Sequence, residues 1–360
     1  MTDEDDKITL REPATILQPG GAIGFLLLPD FPIYALILAT EALRIANQNS
    51  GRTLFDWHLI SIDDGPVKGG NGMLLPTDAS IKTAPPLSTV VVCAGNRPTQ
   101  FLQKTLFAWL RRLARHGAAL GALDTGAFTL AEAGLLDHHR VTLHWEAIPM
   151  FRERYPEIEV VEHLYVLDGQ RFTCAGGMAT LDMMLQLIAQ QHGYGLAQVV
   201  ANGLVHARIR QGAEAQRPPG EHPGARADAQ LATVIRVMEQ NLDIPLEPAE
   251  LARRCGISVR GLERLMRRKL GQSPMQYYLA IRLQTARNLL FYGDAPVKQI
   301  ATICGFSSPP VFSRAFRHHF GHSPGEYRRQ FSGEQLQRFV PPAERYRLMG
   351  SMPAAKLWEP

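Results

Sequence analysis

Apolar residues follow two different rhythms along the chain. Up to about residue 210, short apolar runs alternate with longer amphipathic ones. Residues 22–29 (AIGFLLLP) form an apolar run bounded by Gly and Pro, the pattern of a strand buried on both faces. Residues 33–48 have helical length and good helix formers, and Asn49-Ser50-Gly51 supplies a stop. Residues 55–62 alternate as a strand does, and 88–95 read as a second buried strand. An amphipathic helix is predicted over 99–117, ending in Arg115-His116-Gly117. Residues 119–136 then read as strand, tight turn and helix. Residues 159–176 predict a hairpin turning at Asp168-Gly169, followed by helices over 178–192 and 196–210. This alternation predicts an α/β fold with a doubly wound, mostly parallel sheet. Ligands of such sheets sit beyond the carboxyl ends of the strands. The turns at Pro29, Gly95 and Asp124 should share that edge.

Residues 211–228 (QGAEAQRPPGEHPGARAD) break the rhythm. They are rich in Pro, Gly and Ala and lack apolar periodicity, as a linker does. They would separate a domain over 20–210 from an all-α domain over 229–332, leaving 333–360 as a C-terminal tail. The second domain repeats itself. LARRCGISVRGLERLMRRKLGQSPMQYY begins at Leu251, and IATICGFSSPPVFSRAFRHHFGHSPGEYRR begins at Ile300. Cys255-Gly256 matches Cys304-Gly305. Beyond the turn the second copy is one residue longer, so Leu262 matches Phe312, Arg264 matches Arg314, Met266 matches Phe316 and Arg267 matches Arg317. Each copy reads as helix, glycine turn, helix, the helix-turn-helix pattern. Leu251 and Ala252 would pack the first helix, and the glycine takes the unusual backbone angles of the turn. Ser258 and Ser308 are placed to cap the second helix. Leu262, Leu265, Met266 and Leu270 form its inner face. A long helix over about 275–292 would hold the two units.

Charge agrees with this division. Residues 228–332 carry 15 Lys/Arg against 8 Asp/Glu, whereas the rest of the chain carries 23 against 26. A basic, repeated helix-turn-helix region predicts binding to double-stranded DNA. The residues expected to reach it are Ser258, Arg260, Arg264, Arg267, Ser308, Arg314 and Arg317, some of them on phosphate alone. Over about 231–330, and above all in the signature that starts at Ile300, the chain resembles the AraC/XylS transcription regulators. One departure is Pro310, which stands where that family usually has a small polar residue. Proline is tolerated in a helix's first turn, but it offers no polar side chain to a base. Arg260 is therefore expected to carry more of the sequence discrimination.

Composition adds mainly exclusions. With 45% hydrophobic and 20% charged residues, the 360-residue chain has the make-up of a globular protein. No apolar run approaches the length of a membrane span, so no membrane partner is expected. MTDEDDKITL lacks the basic start and apolar core of a secretory signal. The four cysteines, Cys93, Cys174, Cys255 and Cys304, form no CxxC pair. A zinc site and a disulfide framework are thus unexpected, and a cytoplasmic location is expected. His318-His319 is no metal site either, because helical neighbours point about 100° apart. No cofactor is expected.

The remaining chemistry lies at LDTGAF. In many α/β enzymes a sharp turn between strand and helix carries a Ser or Cys nucleophile; here the residue is Asp124. The stretch, together with GFLLLPDF, ATEALRIAN, TGAFTLAEAGLLD, VTLHWE and RFTCAGGMATLDMMLQLI, resembles the class I glutamine amidotransferase-like domain that opens many AraC-type regulators. The resemblance is to regulators that sense glycine betaine, carnitine or arginine and activate catabolic operons. Enzymes of this fold place a Cys at the elbow, so the resemblance implies a non-catalytic sensor. Two roles for Asp124 stay open. It is either a fixed anion in a ligand pocket, or a carboxylate that stabilises the start of its helix. With Thr125 beside it, the other pocket candidates are Phe31 and Trp145 as aromatic walls for a quaternary amine. His144 and Glu146 are candidate polar groups, and Asn96 and Arg97 candidate partners for a carboxylate. The chain is read as a DNA-binding regulator, an activator working as a homodimer with a small-molecule inducer and in contact with RNA polymerase. The alternatives are a hydrolase or deglycase fused to a DNA-binding tail, and an architectural DNA binder without a ligand.

Overall fold

The computed structural model describes residues 16–217 and 229–331. The acidic N-terminal stretch, the part of the expected linker at 218–228 and the C-terminal tail lie outside the described residues. The chain divides into two compact units between Gln216 and Arg217.

The first unit contains β1 (Ala22–Leu27), α1 (Ile33–Ser50), β2 (Asp56–Ser61), β3 (Val67–Lys68), β4 (Leu74–Leu75), β5 (Ala79–Ser80), β6 (Thr89–Ala94), α2 (Lys104–Arg115) and β7 (Ala119–Asp124). It continues with α3 (Ala127–Glu132), α4 (Ile148–Arg154), β8 (Tyr165–Asp168), β9 (Arg171–Cys174), α5 (Ala179–His192) and α6 (Tyr194–Gly203). The strand order in the main sheet is β5-β2-β1-β6-β7-β9-β8. Every pairing is parallel except β8 with β9. β1, β6 and β7 are almost wholly buried, which explains their unbroken apolar runs: a parallel sheet is covered on both faces. α1, α5 and α6 pack together, and α2 packs on α3 and β7. The α1–α5–α6 layer shares one continuous core with residues such as Phe25, Phe31 and Phe172.

Three local features differ from the sequence expectation. The predicted helix over 196–210 ends at Gly203, and the chain then turns through Val205 at a positive φ of 54°. The short pairs β3–β4 and β2–β5, and helix α4, carry too little periodicity to have been predicted. Residues 211–216, expected in the linker, pack on the first unit. Leu164 N–H donates to Gly212 O at 2.9 Å, and Gln216 N–H donates to Glu162 O at 3.1 Å. Such backbone pairing needs no apolar pattern.

The second unit is helical: α7 (Ala229–Glu239), α8 (Pro248–Arg254), α9 (Val259–Leu270), α10 (Pro274–Tyr292), α11 (Val297–Ile303), α12 (Pro309–Phe320) and α13 (Pro324–Phe331). Leu231, Val234, Leu251, Leu262, Met266 and Tyr278 close one core around the first helix-turn-helix. Ile300, Phe312 and Phe316 are fully buried in the second. α10 spans both, and its Arg282 donates to Cys304 O and Gly305 O at 2.7 and 2.6 Å, with its guanidinium 4.3 Å from the Phe306 ring centre. The long connecting helix thereby holds the turn of the second unit by its carbonyls.

Candidate ligand site and nucleic-acid interface

The carboxyl ends of β1, β6 and β7 meet at one edge of the sheet, where chain direction switches. Three non-glycine residues there adopt a positive φ: Asp30 at 63°, Arg97 at 55° and Asp124 at 58°. Backbone of this kind is costly and concentrates at functional sites. Asp124 ends β7 and enters the turn. Thr125 N–H donates to Ala94 O at 3.3 Å, and the Thr125 hydroxyl donates to Gly95 O at 2.5 Å. Thr125 is fully buried and acts inward, tying the elbow to the end of β6. Gly126 is needed for close approach: a Cβ there would lie 2.3 Å from Val92 O. The sequence LDTGAF therefore builds a true strand-to-helix elbow with Asp124 at its apex.

The Asp124 carboxyl does not cap α3. Gly126, which has no side chain, holds the N-cap position, and the Asp124 carboxyl accepts instead from the turn's Thr125 N–H. Asp124 is 8% exposed, and among the described residues no cation pairs with it. Its pKa is pushed up to about 8, first by burial and then by the charge of Glu146, with partial relief from the Thr125 N–H. Both causes favour the neutral carboxyl over the fixed anion read from the sequence.

Glu146 arrives on the loop between α3 and α4. His144 N–H donates to Asp124 O at 3.3 Å, and His144 Nδ1 lies 3.9 Å from Glu146 Oε2. The rings of His144 and Trp145, both half-buried, stand 5.8 Å apart. The loop is braced from behind by Gln216. Its Oε1 accepts from Trp145 N–H at 2.9 Å, and its Nε2 reaches Thr142 Oγ1, Leu143 O and His163 O at 2.8–3.0 Å.

Not every expected pocket residue joins this group. Phe31 is fully buried in the core of the first unit, so it offers no open wall. Arg97 is engaged by the Asp30 carboxylate. Half-buried Asn96 stays on the same loop. One residue was missed. Tyr34, at the start of α1, is exposed, and its ring edge and hydroxyl lie 3.9 Å from where a Gly177 Cβ would stand. Gly176 in turn abuts Asp124, since a Cβ there would come within 3.0 Å of the carboxylate. Tyr34, beside this glycine pair, is thus an aromatic face near the elbow. Its apolar neighbours on α1 hid it in the sequence.

The thiols near the elbow are poor nucleophiles. Cys93 and Cys174 are buried, and burial pushes both upward, Cys174 to about 12. No cluster of His, Cys, Asp and Glu able to hold a metal occurs among the described residues.

In the helical unit, Arg260, Arg264, Arg314 and Arg317 lie exposed on α9 and α12, as does Arg267. Arg267 pairs with Glu263 at 3.4 Å and Arg317 with Glu326 at 2.9 Å. Arg260, Arg264 and Arg314 enter no ion pair among the described residues, which leaves their guanidinium groups open to phosphate or base. Ser258 caps α9, accepting from Gly261 N–H at 3.1 Å. Ser308 makes no such bond. The expected capping role fails there although Val311, the counterpart of Gly261, keeps its N–H; Ser308 enters the helix at a φ of −163°, against −75° at Ser258. No described helix is long and apolar enough to cross a membrane.

The DJ-1/PfpI family matches residues 25–190, and a helix-turn-helix domain family matches residues 251–330. Across most of its length the chain is similar to transcriptional regulators. It is 43% identical to the HTH-type transcriptional regulator CdhR of Pseudomonas aeruginosa, over 84% of this chain and 90% of that protein. It is 38% identical to the HTH-type transcriptional regulator GbdR of the same species, over 85% of this chain and 84% of that one. It is also 38% identical to the HTH-type transcriptional regulator GlxA of Rhizobium meliloti, over 86% and 95%.

Proposed function

The chain belongs to the family of helix-turn-helix transcriptional regulators that carry a DJ-1/PfpI domain ahead of the DNA-binding domain, and on that premise we propose that its elbow edge senses a small nitrogenous cation. The observation that carries this reading is Asp124: a buried acid with no cationic partner among the described residues, next to Glu146, at the apex of an elbow. A quaternary ammonium or guanidinium group would take the missing partner's place. The ligand class is a zwitterionic metabolite such as glycine betaine, carnitine or arginine. Tyr34 and Trp145 supply aromatic faces for the cation. The ligand's carboxylate would take Arg97 in exchange for Asp30, with Asn96 on the same loop and His144 as a polar group. Thr125 positions the elbow. Binding a cation draws the proton from Asp124, so affinity should rise with pH up to about 8.

The DNA-binding domain engages double-stranded DNA through Arg260, Arg264 and Arg314, with Arg267, Arg317, Ser258 and Ser308 as further contacts. The ligand alters regulation only by favouring one arrangement of the protein over another. Activation of a catabolic operon as a cytoplasmic homodimer, in contact with RNA polymerase, completes the proposal. The regulator reading is favoured over a hydrolase or deglycase by the matched relatives and by an elbow that carries Asp124 in place of a thiol.

Thermal-shift measurements on the full chain with glycine betaine, carnitine, dimethylglycine and arginine test the proposal. One of these should raise the melting temperature of wild type, and Asp124→Ala should abolish both that shift and inducer response while still binding promoter DNA. A full response from Asp124→Ala would remove Asp124 from the site.

A further inference from the structure

The two reader helices match position for position, yet their first turns are chemically opposite. Leu262, Leu265 and Met266 bury one side of α9, and Phe312 and Phe316 bury the same side of α12. This fixes which residues face outward. In α9 the outward first turn brings Arg260, followed one turn later by Arg264. At the equivalent places α12 has Pro310 and Arg314, and Gly261 is replaced by Val311, which is 38% exposed.

The first turn of α12 is also poorer in donors, with Val311 alone keeping a free-standing N–H position among its first three residues. Pro309 and Pro310 have no N–H, so two of the N–H groups a helix start normally presents are absent. Ser308 makes no cap bond, and Phe312 N–H is already used in the first helical bond, to Ser308 O at 3.1 Å. In a helix-turn-helix the N-terminal residues of the second helix meet the base edges in the major groove. A surface made of a proline ring and a valine side chain cannot read donors or acceptors there. The one apolar feature that distinguishes bases in that groove is the 5-methyl group of thymine.

We propose that α12 recognises thymine methyl groups through Pro310 and Val311, with Arg314 anchoring the helix, while α9 reads hydrogen-bonding base edges through Arg260. The two half-sites are then unlike in kind. The inference rests on the DNA-binding assignment alone and is independent of any ligand at the elbow.

Uracil differs from thymine only by that methyl. The full chain would select its site from a randomised duplex library, and each thymine of the selected site would then be replaced singly by uracil. Wild type should lose affinity ~3–5-fold at one or two positions, the worth of one buried methyl. Val311→Ala and Pro310→Ala should each weaken binding to the thymine duplex and be insensitive to uracil at those same positions. Both residues are exposed, so both variants should keep the wild-type melting temperature. The proposal is overturned if every uracil replacement is silent, or if each costs the variants as much as wild type. It is overturned as well if the variants bind all duplexes normally but fail to activate transcription, which would make Pro310 and Val311 a protein-contacting surface.

Discussion

The proton on Asp124 can be tested without any ligand. Folding pushes this carboxyl up to about 8, whereas an unfolded chain leaves an aspartate near ~3.9. Between those values the folded protein holds a proton that the unfolded chain has released. Stability must therefore fall as pH rises through that window and level off above about 8. A whole proton is worth about 1.4 kcal/mol per pH unit, so from about pH 5 to about pH 7 wild type should lose ~2.7 kcal/mol on this account. Asp124→Asn removes the titration while keeping the shape, and asparagine tolerates a positive φ. For a unit of roughly 200 residues, each kcal/mol moves the midpoint by ~2–4 °C, so the gap between the two proteins should change by ~5–10 °C across that range. Calorimetry of both full chains at matched pH reads this directly, since every other group titrates in both. The sign matters: the wild-type midpoint should fall faster with rising pH. Parallel curves would mean that Asp124 is already ionised in the folded protein at about pH 5, and the account of a buried neutral acid at the elbow would fail.

Three structural predictions extend the test to other contacts. Gln216→Ala removes the partner of Trp145 N–H and of three acceptors around the site loop. It should cost ~1–3 kcal/mol and speed hydrogen exchange at the Trp145 amide, and unchanged exchange would contradict the bracing role. Arg282→Leu takes a guanidinium from the carbonyls of Cys304 and Gly305. Urea unfolding of the helical unit should show a loss of ~2–3 kcal/mol, with the midpoint of the first unit unmoved. Gly256→Ala and Gly305→Ala both put a side chain at a positive φ, 66° and 68°, a strain of ~1–2 kcal/mol. Only at Gly305 would the new methyl collide with backbone, at 2.4 Å from Leu242 O. Gly305→Ala should therefore be clearly the worse of the two, and equal losses would argue against that close packing.

What was legible in the sequence depended on how local its cause was. The buried strands were legible because a sheet covered on both faces demands continuous apolar runs, and β1, β6 and β7 have them. The two helix-turn-helix units were legible because a repeat shows the same packing twice. The symmetry of that repeat also misled. Ser258 and Ser308 look alike as caps, but the chain enters the helix after Ser308 at a different backbone angle, φ −163° against −75°, and the side-chain bond is not made. The elbow shows the same limit at longer range. Its position follows from five or six consecutive residues, since Gly126 must pass close to Val92. Its charge state does not, because that is set first by burial and then by Glu146, which stands 22 residues further on in the sequence and is brought in by a loop. That loop is held in turn by Gln216, which sits in a stretch with the composition of a linker. A carboxylate read from sequence is an anion by default. Folding shifts this one toward the neutral acid, and the proposed cation would be what releases its proton.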